Sequence, residues 1–123
     1  MTVVLVVDDE MGVANLLSDV LSDEGYHVIV APNGREALRR AGEQHPDLVI
    51  SDLMMPVMDG AQLKKAMEAE PDLKDIPFII MSSMPEATVL EQCAGYALFV
   101  RKPFQIYGLI DQIKNIVDSN SSA

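Results

Sequence analysis

The 123-residue chain has one cysteine, no tryptophan and few other aromatics, and its nine basic residues face nineteen acids. Each shortage excludes something. A single thiol, Cys93, cannot form an internal disulfide, which suits a reducing cytoplasm and sets aside disulfide-stapled secreted folds. A net charge of −10 leaves no basic face for gripping nucleic acid through its phosphates, and disfavours an anionic membrane surface. No stretch approaches the ~20 apolar residues of a membrane span. No basic leader with an apolar core and a small-residue cleavage site is visible either, so no secretory signal is expected. What is present is 49% apolar residues in a length typical of one domain, enough to build an interior.

The apolar residues recur in a regular alternation. Val3–Val7 is a continuous β-branched run of strand length. Val13, Ala14, Leu17, Val20 and Leu21 follow at helical spacing up to Gly25, a helix stop. His27–Val30 reads as a second strand, Asn33-Gly34 as a turn, and Ala37, Leu38 and Ala41 as a short helix before Gly42. Leu48–Ser51 is a third strand. Asp59-Gly60 opens a helix with Leu63, Ala66 and Met67, and Phe78–Met81 is a fourth strand. Glu86–Ala94 is expected to be helical, with Val89, Leu90, Cys93 and Ala94 together. Leu98–Val100 is the fifth strand, and a last helix runs from about Phe104 to Val117. The domain is expected over residues 1–118, with 119–123 as a frayed tail or the start of a linker.

Five βα units whose strands are apolar throughout imply an α/β fold with a parallel sheet covered on both faces. Such sheets place their sites outside the carboxyl ends of the strands. Asp8 and Asp9 follow the first strand, Asp52 the third, Ser82-Ser83 the fourth and Arg101-Lys102-Pro103 the fifth. These side chains should therefore converge. Adjacent carboxylates raise one another's pKa unless a cation sits among them. An all-oxygen set with few protein ligands suits Mg²⁺ beside phosphate oxygens. Lysine supplies a point charge for phosphate, and aspartate can be a nucleophile toward phosphorus. Taken singly, Asp9 also suits an N-cap and Asp52 a turn. His27 and His45 lie at no strand carboxyl end and are read as structural.

In VVDDE at 6–10, SDLMMPVMDG at 51–60, IIMSS at 79–83 and FVRKPF at 99–104, the chain resembles the receiver domain of two-component response regulators over nearly its whole length. The resemblance implies a flavodoxin-like, doubly wound (βα)5 fold with strand order 2-1-3-4-5 and helices on both faces. It implies Asp52 as phosphoacceptor, Asp8, Asp9, Asp52 and the backbone carbonyl of Met54 around Mg²⁺, and Ser82 and Lys102 as partners of the phosphoryl group. Ser82 and Phe99 would be the switch pair. The donor would be a sensor histidine kinase or histidine phosphotransfer protein. The output would pass to a downstream protein or a missing output domain, or to a homodimer through the fourth helix, fifth strand and fifth helix. Such a domain is a cytoplasmic signalling switch that catalyses only its own phosphorylation and dephosphorylation.

The chain departs from the family at Met54 and Met84, apolar where a polar side chain often stands, which suggests a long-lived phosphorylated form. Ser83 follows Ser82 where alanine is common, and spacing favours Ser82 as the switch hydroxyl. Tyr96, Ala97 and Leu98 make the approach to the fifth strand unusually apolar. With Val89 and Leu90 they would either enlarge a partner surface or pack into the sheet edge. Two other readings remain. A docking-only module would not need Asp52, Lys102 and the acid pair. A small-molecule phosphatase or phosphotransferase would want an acid where Met54 stands. A flavin site lacks the phosphate-cradling loop after strand one.

Overall fold

The computed structural model describes residues 1–121, in strict alternation. The elements are β1 (Val3–Val7), α1 (Met11–Asp23), β2 (His27–Ala31), α2 (Gly34–Gln44), β3 (Leu48–Asp52), α3 (Gly60–Glu68), β4 (Phe78–Ser82), α4 (Glu86–Gln92), β5 (Leu98–Arg101) and α5 (Ile106–Ser121). All neighbouring strands pair in parallel, in the order β2-β1-β3-β4-β5. The flavodoxin-like (βα)5 expectation is met.

Alternation along each strand divides the core in two, because successive side chains of a strand point to opposite faces. Leu5, Val49 and Ile80 pack with Ala37, Leu63 and Val89 under α2, α3 and α4. Val4, Ile50 and Ile79 pack with Leu17, Leu109 and Ile113 under α1 and α5. Burying each of these Val, Leu and Ile side chains stabilises the fold by about 1.5–3 kcal/mol. With both faces covered, the central strands β3 and β4 are buried at every position, which is why they read as unbroken apolar runs.

Several element ends differ from the sequence reading. Asn33-Gly34 is a helix start: the Asn33 side chain accepts a hydrogen bond from the Glu36 N–H at 3.0 Å. The helix passes through Gly42 and stops at His45, a left-handed cap at φ 46°, because the residue before Pro46 is disfavoured in the right-handed helical region. Helix α4 ends at Gln92, where Cys93 turns extended and buries its side chain. Helix α5 begins at Ile106, where the Leu109 N–H bonds the Gln105 carbonyl at 3.1 Å, and continues to Ser121 because nothing after Gly108 breaks it. Of the expected tail, Ser122 and Ala123 lie outside the described residues. Among the described residues no helix is long and apolar enough to cross a membrane.

Candidate functional site

The parallel sheet delivers its strand ends to one edge. Asp8 follows β1, Asp52 closes β3, Ser82 closes β4 and Lys102 follows β5. Register fixes their relative heights: Val7 pairs with Ser51, Asp52 with Met81 and Ser82 with Arg101. Carboxylate oxygens of Asp8, Asp9 and Asp52 all lie within 4.8 Å of one another. Asp8 and Asp52 are buried and Asp9 is exposed, so the cluster opens to solvent on one side.

Lys102 joins the acids. Its Nζ lies 2.9 Å from Asp52 Oδ2 and 3.3 Å from Asp8 Oδ2. Burial pushes the Asp8 carboxyl above the usual range and the Asp52 charge adds to this; the Glu10 N–H and Lys102 oppose it. The Glu10 N–H donates to Asp8 Oδ1 at 2.9 Å, which fixes that carboxylate at the start of α1. Partial burial disfavours the Lys102 ammonium, but the hydrogen bond and charge of Asp52, with those of Asp8, outweigh it and hold the ammonium above its ordinary value. Asp9 does not cap α1, whose N-cap is Glu10 with no side-chain bond. Its carboxylate is left to the cluster.

The β3–α3 loop holds Asp52 from below. The Gly60 N–H bonds the Leu53 carbonyl at 2.9 Å, and a Cβ on Gly60 would lie 2.5 Å from the Asp52 carbonyl oxygen. Only glycine permits this approach. Asp59 and Gln62 form a reciprocal capping box that starts α3 at this point. Just before this box the chain turns tightly, with the Met58 N–H bonded to the Pro56 carbonyl at 2.8 Å and Val57 at φ 71°. Met54 is exposed at 62% and stands on the solvent side of the loop.

Of the two serines, Ser82 is buried and its Oγ accepts the Met84 N–H at 3.0 Å, while Ser83 is exposed. Phe99 is half-buried in β5 against the core, its ring centroid 6.3 Å from that of Tyr96. Tyr96 packs at the sheet edge, Val89 is fully buried and Leu90 is 49% exposed, so the two alternatives for this stretch divide residue by residue. The bond from Tyr96 Oη to Glu86 Oε2 at 2.6 Å went unanticipated, as did the role of Gly60. A contact across ten residues between a helix and a loop leaves no periodic signal. Asp-Gly before a helix marked the place of Gly60 but not its contact.

The donor set fits a hard divalent cation: three carboxylates, all oxygen, two of them buried, with burial working against the Asp8 charge. The family model for the response regulator receiver domain matches residues 4–114. The chain is 33% identical over 121 residues to sporulation initiation phosphotransferase F of Bacillus subtilis, covering 97% of this chain and 96% of that one. It is 36% identical over 120 residues to the transcriptional regulatory protein GlrR of Escherichia coli, covering 97% of this chain but only 27% of that protein. A receiver domain of a signal transduction histidine kinase from Syntrophus aciditrophicus superposes with a TM-score of 0.89 at 33% identity, over 100% of this chain and 95% of that one. The response regulator TrrA of Thermotoga maritima, in complex with Mg²⁺–BeF, gives 0.79 at 29% identity, over 94% and 99%.

Proposed function

The chain belongs to the response regulator receiver domain family, the signalling switches of two-component systems, and from that premise we propose that Asp52 is its phosphoacceptor. The observation that carries the reading is the Lys102 ammonium 2.9 Å from Asp52 Oδ2 within a cluster of three carboxylates. The donor is a phosphohistidine on a sensor kinase or phosphotransfer protein. An Asp52 carboxylate oxygen forms the new bond to phosphorus as the bond to the donor imidazole nitrogen breaks, and that electron pair returns to the ring. Lys102 neutralises charge on the phosphoryl oxygens, and the Ser82 hydroxyl donates to one of them. Little covalent help is needed, because such transfer depends on alignment and charge.

Asp8, Asp9, Asp52 and the Met54 carbonyl would hold Mg²⁺. When bound, it neutralises the acids and the incoming phosphoryl oxygens. Asp8 is held for this role by the Glu10 N–H, and Asp9 completes the set from the solvent side. The donor protein has a surface to meet beside the site: a groove of about 460 Å³ lined by Val13, Leu16, Phe104 and Ile106, with Lys102 on one wall. Ser82 and Phe99 then change together and alter the face made by α4, β5 and α5. That face passes the signal to a downstream protein, to an output domain, or to a second copy of the chain. The protein works in the cytoplasm and catalyses only the gain and loss of its own phosphoryl group.

Intact-mass measurement after incubation with acetyl phosphate tests this. A single phosphoryl adduct is expected with Mg²⁺, absent without it and absent in Asp52→Asn. Folded protein that gains no adduct under any condition would leave a docking module as the better reading.

A further inference from the structure

Helix α4 is held lightly. It has seven residues, Pro85 at its start gives no side-chain cap, and Val89 is its one buried residue, where α1, α2 and α3 each bury three or more. Its first turn is tied from outside the helix. Tyr96 Oη donates to Glu86 Oε2 at 2.6 Å.

The α4–β5 connection places that phenol. Gly95 turns the chain at φ 83°, and a Cβ there would lie 3.1 Å from the ammonium of Lys64, which is buried on α3 and paired with Glu68 at 3.0 Å. The chain then returns so that the Tyr96 ring lies 6.3 Å from Phe99, tilted by 44°. One side chain thus links the start of α4 to the aromatic of β5.

The other end of the same path is the phosphoacceptor site. Ser82 Oγ accepts the Met84 N–H at 3.0 Å, and Met84 and Pro85 lead directly to Glu86. Both groups read as phosphoryl partners are committed elsewhere in this arrangement, Lys102 to the Asp52 and Asp8 carboxylates and Ser82 to the Met84 amide. Movement of Ser82 toward a phosphoryl group on Asp52 pulls on the first turn of α4, against the Tyr96 bond.

We infer that the Tyr96–Glu86 hydrogen bond is a latch, holding α4 and Phe99 in the resting arrangement and opening when the switch is thrown. The inference rests on Asp52 as acceptor and Ser82 as switch hydroxyl. It adds Tyr96 and Glu86 as positioning residues that set the balance between the two states. A contact made in only one state lowers the apparent affinity of a ligand that selects the other.

The test uses Mg²⁺ with beryllofluoride as the phosphoryl stand-in, its affinity measured calorimetrically on wild type, Tyr96→Phe, Glu86→Ala and the double variant. Tyr96→Phe keeps the ring against Phe99 and loses only the hydroxyl. Each single variant is expected to bind about fivefold tighter, the worth of one ordinary hydrogen bond. The double variant should bind no tighter than either single one, since both cut the same bond. A purely structural contact would leave binding unchanged or weaken it. Unchanged or weaker binding by Tyr96→Phe, with wild type binding, overturns the latch. No binding by wild type overturns the Asp52 reading, and the latch with it.

Discussion

The ammonium of Lys102 is shared between Asp52 Oδ2 at 2.9 Å and Asp8 Oδ2 at 3.3 Å, so one cation from the end of β5 bridges acids from the ends of β3 and β1. Without it the carboxylates of Asp8, Asp9 and Asp52, within 4.8 Å of one another, would keep the Glu10 N–H on Asp8 but lose this cation. On the metal reading proposed above, a divalent ion would take these same carboxylates, so lysine and metal would compete for them.

That competition gives the first prediction. In Lys102→Met the buried Asp8 carboxylate loses a partner, and the metal-free protein should be less stable by about 1–3 kcal/mol. The vacated oxygens should bind Mg²⁺ more tightly than in wild type, so millimolar Mg²⁺ recovers most of the loss. Labelling by acetyl phosphate should still fall by about 10²–10³, because the phosphoryl charge is no longer met. Thermal unfolding with EDTA and with Mg²⁺ measures the first two effects. An equal rise in stability on adding Mg²⁺ to both proteins would sink the shared-cation account.

Much of this was legible beforehand for a physical reason. Strands buried on both faces must be apolar throughout, so Val3–Val7 and Phe78–Met81 announce themselves, and the parallel order then forces Asp8, Asp52, Ser82 and Lys102 to one edge. Spacing favours Ser82 over Ser83, and Ser82 is the buried one of the two. Helix ends were less legible, because capping competes with propensity. Gly42 is tolerated inside α2 since Pro46 sets the stop, and Cys93 leaves the helical pattern to bury its thiol. Lys64 was invisible as a buried lysine, because its partner Glu68 makes an ordinary surface pair by spacing.

Met54 sets the second prediction. Its side chain is 62% exposed beside Asp52 and offers no hydrogen bond to a water attacking the acyl phosphate. Met84, half-buried in the β4–α4 loop, offers none either. The phosphorylated form should therefore be long-lived. Replacing Met54 by Asn supplies one hydrogen bond to that water and should speed hydrolysis about tenfold, the rate equivalent of about 1.4 kcal/mol. Following the phosphoryl adduct by mass after removal of acetyl phosphate measures both lifetimes. Decay of wild type as fast as that of Met54→Asn would show that the methionine does not control water.

Tyr96 supplies the pH dependence. The hydrogen bond to Glu86, helped by desolvation and by the carboxylate's charge, pushes its phenol up to about 12 from the ordinary value near ~10. The fold thus favours the neutral phenol. The contribution of this bond to stability is complete below pH ~10, declines as pH rises through about 12, and is gone above it. Tyr26 is also raised, by burial first and by Asp118, so the assignment needs a variant. Glu86→Ala removes both the acceptor and the charge, and should bring the Tyr96 phenol back toward its ordinary value while leaving Tyr26 in place. Ring resonances near pH ~11 report the difference directly: Tyr96 neutral in wild type and largely ionised in Glu86→Ala. A Tyr96 already ionised in wild type at that pH would mean that the bond to Glu86 is not kept in solution.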